Sequence, residues 1–139
     1  MITSSSSVLA PSVRLGAYVA SKYAITGYGE VLRLELAREG IGVTLLFPAG
    51  MSTRHLESSR AARPRELGPS VTLPDDIDAI VAGLGNGAAI ATPRHAVRNL
   101  VAEVLADQAY VITHGNYRAQ VEDRFAQILA AFARMDEDV

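Results

Sequence analysis

The 139-residue chain has no cysteine and no tryptophan. The first absence excludes disulfides and thiolate metal sites. Lysine occurs once, at Lys22, and arginine supplies the rest of the positive charge. The net charge of −2 leaves no electrostatic footprint for a nucleic-acid partner. No apolar run approaches the roughly 20 residues that a membrane span requires. No basic stretch followed by an apolar core opens the chain, so no secretion signal is read there and the expected compartment is the cytoplasm. His55, His95 and His114 share no metal-ligand spacing, so no metal is expected; His114, at the end of a strand, is the one histidine read as a candidate lining residue. What remains is one domain's worth of chain, 49% hydrophobic and 20% charged, an ordinary globular composition.

The stretch with the most chemistry in it is Ala17-Tyr18-Val19-Ala20-Ser21-Lys22-Tyr23-Ala24. On a helix, residues four apart stack on one face, so Tyr18 and Lys22 become neighbours. A phenol titrates near pH 10, and an adjacent cation favours its ionised form, which suits it to proton transfer. The spacing alone also describes a solvated helix edge. Upstream, Ile2 and Thr3 read as the end of a strand that runs into Ser4 to Ser7, with Ser5 thirteen residues before Tyr18. A serine run can equally be a polar linker. Downstream, Gly42-Val43-Thr44-Leu45-Leu46-Phe47-Pro48-Ala49-Gly50-Met51-Ser52-Thr53 reads as a buried strand over 41–47, apolar without alternation, closed by a proline turn.

Taken together, residues 1–54 resemble the second half of a classical short-chain dehydrogenase/reductase: a serine, a Tyr-x-x-x-Lys helix, then a strand and proline loop with a threonine five residues on. The resemblance implies an α/β fold, the C-terminal half of a doubly wound Rossmann-type parallel sheet flanked by helices. The N-terminal dinucleotide-binding half, with its glycine-rich turn, has no counterpart in residues 1–139, and Met1 corresponds to the near end of the family's fifth strand. The resemblance further implies an NAD- or NADP-dependent oxidoreductase interconverting an alcohol and a ketone or aldehyde. Tyr18 would carry the proton, Lys22 would assist Tyr18 and bind the cofactor ribose, and Ser5, with Ser6 as the neighbouring register, would hold the substrate oxygen. The loop of Pro48, Ala49, Gly50 and Met51 would carry the nicotinamide, with main-chain groups near Met51 at the carboxamide and the Thr53 hydroxyl at the carboxamide or the diphosphate; Tyr18 and Lys22 would also line the cofactor. Ala49 stands where the family usually has glycine. The alternative is an inactive fragment, or an interaction module without catalysis.

Element order completes the reading of 1–139 as a single, partial catalytic domain. Residues 17–39 form a helix ending at Gly40, with a small-residue stripe (Ala20, Ala24, Gly27, Val31) and a bulkier one (Ile25, Tyr28, Leu32, Leu36). Two apolar faces fit a homodimer interface, as the family would have it, or a monomer core. Gly27 and Gly29 are read as close-packing positions. Residues 54–92 would cover the substrate, a small alcohol or carbonyl compound: a mobile helix or loop over Arg54 to Arg65, then a helix from Pro74. Asp75, Asp76 and Asp78 serve better as helix caps than as a metal site. Gly83 to Gly87 follows a helix, fails the context of a dinucleotide fingerprint and reads as a connector. Thr92-Pro93 opens a further helix with Ala96, Val97, Leu100, Val101, Val104 and Leu105 as its buried stripe. Tyr110 to Thr113 is a last strand, and 115–139 a C-terminal helix with Val121, Phe125, Ile128, Leu129, Phe132 and Met135 on one side and a fraying acidic end.

Overall fold

The computed structural model describes residues 1–69, 73–83 and 90–136. Three parallel strands, β1 (Ile2–Thr3), β2 (Leu45–Phe47) and β3 (Tyr110–Ile112), lie in the order β1-β2-β3. The register pairs Ile2 with Leu45 and Leu46 with Val111. The α/β parallel-sheet architecture expected from the sequence is the one found. β2 is buried on both faces, as its unbroken apolar run requires. It is shorter than the expected 41–47, because Ile41 and Gly42 lie exposed ahead of the point where the neighbouring strands begin.

The serine run is not a linker. The amides of Ile2, Ser4 and Ser6 donate in turn to the carbonyls of Thr44, Leu46 and Pro48, each at 2.8 Å, so the ladder continues past β1 into the serines. Ser4 to Ser7 are all buried. The chain then tightens into a 3-10 turn over Ser6–Val8, capped by Ser5. Val8, Leu45 and Phe47 form the innermost apolar cluster, with Ile2 and Leu9 packed against it. Burial of each such side chain contributes roughly 1.5–3 kcal/mol.

Helix α1 (Gly16–Leu36) crosses the sheet and passes through a 3-10 turn to Gly40, whose φ of 68° is the left-handed conformation glycine accepts without strain. Its contact face runs through Lys22, Thr26, Gly29 and Arg33. A Cβ on Gly29 would lie 2.7 Å from Leu45 Cδ2 and 3.1 Å from Ile2 Cδ1, whereas one on Gly27 would meet nothing within 4 Å. Only Gly29 is therefore a close-packing glycine. Of the two expected stripes, Leu32 and Leu36 are half-buried; Ala20, Ala24, Ile25, Tyr28 and Val31 are exposed, Tyr28 at 62%. One helix offers a three-stranded sheet one face, and the other is left to solvent.

Past β2, helix α2 (His55–Ala61) and a 3-10 turn (Arg65–Leu67) occupy the arginine-rich stretch. Helix α3 (Pro74–Gly83) follows. Asp76 accepts from the Leu73 amide and pairs with Arg14 at 3.2 Å, which is the capping role expected of that acidic cluster. The connector expected after Gly83 lies outside the described residues. The helix expected from Thr92 is interrupted: α4 (Pro93–Ala96), a turn, then α5 (Leu100–Leu105). Thr92 caps α4 as expected, its hydroxyl accepting from the His95 amide. The apolar stripe is not buried, since only Ala96 is covered and Leu100 half-covered, while Val101 is 72% exposed. Helix α6 (Arg118–Asp136) likewise presents Phe125, Leu129 and Phe132 to solvent, Phe132 at 66%. The stripes expected to be buried are therefore not the covered ones: on α6 only Val121 of the expected face, with Arg124, is half-covered. Among the described residues, no helix is long and apolar enough to cross a membrane.

Candidate active site

At their carboxyl ends β1 and β2 run out into the serine turn and the proline loop, at the end of the sheet where open α/β folds place ligands. Ser4 is bonded to Thr26 at 2.6 Å, and Thr26 donates to the Lys22 carbonyl at 2.7 Å, so α1 is clamped to the strand at the turn that carries the lysine. The Lys22 ammonium reaches the strand tip itself, donating to the Thr3 carbonyl at 3.4 Å. The same ammonium lies 5.8 Å from the centroid of the Tyr18 ring. The i,i+4 spacing has thus produced the neighbourhood it predicts. Among the described residues, the Tyr18 hydroxyl has no hydrogen-bond partner.

Ser5 stands two residues beyond Thr3, extended at φ −159°, ψ 148°. Its Oγ accepts from the Ser7 amide at 3.3 Å and from the Ser7 hydroxyl at 3.0 Å. With both lone pairs taken, its own hydrogen is left to donate, the polarity needed to hold a carbonyl or alcoholate oxygen. Ser6, the neighbouring register, has its amide on Pro48, which joins the serine turn to the proline loop.

That loop is held on two sides. The Thr113 hydroxyl accepts from the Ala49 amide at 3.2 Å and lies 2.6 Å from His114 Nδ1. Met51 bridges in parallel to Ala91, whose amide donates to Gly50 O and whose carbonyl accepts from Ser52 N. In a parallel bridge of this kind, the flanked residue turns its own amide away from the partner strand. The Met51 N–H therefore has no acceptor among the described residues. Thr53 Oγ1 accepts from the His55 amide at 3.3 Å and keeps a hydrogen to give. The loop thus presents two unused donors, the Met51 N–H and the Thr53 hydroxyl.

Two participants were not legible in the sequence. His55 opens α2 with its ring 6.2 Å from that of Tyr18 and tilted by 60°, so the first residue of α2 lies against the phenol. Thr113 holds Ala49 from 64 residues away. Neither carries a local motif; the pairing exists only because β3 lies beside β2. His114, read as a candidate lining residue, reaches the site through its bond to Thr113. Beyond β3, Tyr117 is 5% exposed and its hydroxyl has no partner among the described residues; burial pushes its phenol up to about 12.

Comparison with known proteins adds the following. Residues 1–64 match the family model for short chain dehydrogenase. Over 58 residues the chain is 40% identical to the uncharacterized oxidoreductase YbbO of Escherichia coli strain K12, covering 42% of this chain and 22% of that protein. YbbO of Escherichia coli O6:H1 matches to the same extent. A crystal structure of a short chain dehydrogenase/reductase from Burkholderia phymatum in complex with NAD superposes with a TM-score of 0.70 at 23% identity, over 94% of this chain and 48% of that one. The chain spans about half the length of this structural neighbour, and the likeness is one of fold.

Proposed function

We propose, from the match of residues 1–64 to the short chain dehydrogenase model and the fold that the chain shares with a solved member of that family, that the chain is the proton-transferring half of an NAD- or NADP-dependent oxidoreductase that interconverts an alcohol and a ketone or aldehyde. The observation that carries this reading is Lys22, which touches the Thr3 carbonyl at the strand tip and stands beside the Tyr18 ring. In carbonyl reduction, the Ser5 hydroxyl donates to the substrate oxygen and fixes it at the strand tip. Tyr18 gives its proton to that oxygen as the alcohol forms, and takes it back in the reverse direction. Lys22, beside the Tyr18 ring, offers hydrogen bonds to a ribose. The Met51 amide and Thr53 hydroxyl would hold the carboxamide, in the loop fixed by Pro48, Ala49 and Gly50. A bound nicotinamide supplies or accepts the hydride.

In this reading catalysis needs a dinucleotide-binding half from further polypeptide. Supporting it, the accessible surface is 10010 Å², against about 7,000 Å² for a folded monomer of this mass. The excess is on the scale of an extensive permanent interface. The test is a fusion of the chain behind the strand–glycine turn–helix half of a short-chain dehydrogenase, assayed for alcohol-dependent reduction of NAD or NADP. Turnover that falls by about 10²-fold or more in Tyr18→Phe and Lys22→Met supports the reading. Cofactor binding with turnover indifferent to Tyr18→Phe would overturn it.

A second, non-catalytic reading is favoured by one observation, the exposed outer face of α1 carrying Ala24, Ile25, Tyr28 and Val31. That face would make the chain a homodimerising module. Sedimentation of the chain and of Tyr28→Glu separates the readings: a dimer that binds no cofactor and dissociates in the variant favours the second.

A further inference from the structure

The 3-10 turn that begins at Ser5 is gripped at its far end by a residue 116 positions away. Arg124, on α6, donates through Nη1 to the Val8 carbonyl at 2.6 Å and to the Leu9 carbonyl at 3.2 Å. The guanidinium carbon also lies 5.5 Å from the centroid of the Tyr23 ring. The Tyr23 hydroxyl, from α1, donates to the same Val8 carbonyl at 2.7 Å. One carbonyl thus receives a donor from each of two helices, and the guanidinium of one lies over the ring of the other. A planar guanidinium can do this, because it presents N–H groups at its edge and a face to the ring. Val8 is also the apolar pivot of the turn, fully buried against Leu45 and Phe47.

The other end of the turn is Ser5. The Val8 amide donates to the Ser5 carbonyl at 3.2 Å, the Leu9 and Ala10 amides to the Ser6 carbonyl at 2.9 Å, and the Ser7 amide to the Ser5 hydroxyl. A shift of Val8 and Leu9 therefore moves Ser7, and Ser7 is what occupies both lone pairs of Ser5. Arg124 has no carboxylate partner among the described residues, so its bonds are spent on this turn alone.

We propose that Arg124, with Tyr23, is a positioning residue for Ser5: it holds the serine turn so that the Ser5 hydroxyl hydrogen faces the substrate oxygen, and makes α6 part of the active-site frame. The role assigned to Ser5 rests on the function proposed above, but the geometry of the turn can be read without cofactor or substrate.

The test is native-state amide hydrogen exchange on the whole chain, comparing wild type with Arg124→Met, Arg124→Lys and Tyr23→Phe. The Ser7, Leu9 and Ala10 amides report the turn, and the Leu45 amide, bonded to the Ala109 carbonyl at 2.8 Å, reports the sheet. Arg124→Met is expected to speed exchange at the three turn amides about tenfold while leaving Leu45 within about twofold of wild type. Arg124→Lys, which keeps a donor but loses the fork, should recover part of the protection. Tyr23→Phe should give a smaller acceleration confined to the same amides. Unchanged Ser7 exchange in Arg124→Met would overturn the proposal, as would equal acceleration at Leu45, which would mean general loosening of the fold. If the fusion enzyme binds no cofactor yet these amides respond as expected, the function reading fails and the positioning geometry stands.

Discussion

Arg33 grips Asp107 with both guanidinium nitrogens, at 2.8 and 2.9 Å, and continues to the carbonyls of Val43 and Asp107. The pair ties the last turn of α1 to the turn that precedes β3, at the end of the sheet away from Tyr18 and Lys22. Gly42 lies so close to the Asp107 carboxylate that a side chain there would displace it.

This latch predicts an acid-sensitive stability. The hydrogen bond from Arg33 holds the Asp107 carboxyl below its ordinary value. A depressed folded-state pKa contributes stability that is present above the unfolded value, near pH 3.9, and is lost as pH falls through the folded one. Asp107→Asn and Gly42→Ala should each lower the melting temperature at pH 7. Each should also flatten the decline below pH 4 relative to wild type. Thermal scans across that range provide the check; identical pH slopes would show that the pair contributes nothing.

The two glycines of α1 should respond with opposite signs to alanine. Gly27→Ala fills open space and removes a helix-interior glycine, so stability should rise by about 0.5–1 kcal/mol. Gly29→Ala gains the same propensity but forces a methyl against Leu45 and Ile2 in the core, which costs about 1–3 kcal/mol. The net effect is a loss. Chemical denaturation of both variants decides it.

Tyr117 makes stability fall in alkali. Its phenol, pushed up to about 12 by burial, keeps its proton in the folded state to higher pH than the ordinary value of about 10. Stability is complete below pH 10 and drains as pH rises toward 12, by on the order of 2–3 kcal/mol. Tyr117→Phe should remove that component. Because it also deletes a buried hydroxyl that has no partner among the described residues, it should stabilise the chain at pH 7 by about 1 kcal/mol. Denaturation midpoints at pH 7 and pH 11 distinguish the variant from wild type.

Thr113→Val should release the proline loop. The Ala49 amide would lose its acceptor, at a cost of about 1–3 kcal/mol. Exchange of that amide should quicken while the Leu45 amide is unaffected. A loop equally protected in the variant would assign its rigidity to the Met51–Ala91 bridge instead.

Local chemistry along the chain decided a good deal. The Tyr18–Lys22 adjacency follows from helical pitch, the buried character of β2 from an apolar run without alternation, and the end of α1 from glycine's tolerance of positive φ. A motif spanning a few residues carries its geometry with it. Three-dimensional packing alone decided that Ser4 to Ser7 extend a ladder instead of linking elements, because that depends on backbone partners at Thr44, Leu46 and Pro48. It decided that Gly29 and not Gly27 meets the sheet, and that the stripes of α5 and α6 lie uncovered. It also brought Thr113 to Ala49, Arg33 to Asp107 and Arg124 to Val8. Each of those contacts joins residues more than 60 positions apart through a parallel crossover or a returning helix, and periodicity within one element carries no information about what another element lays beside it.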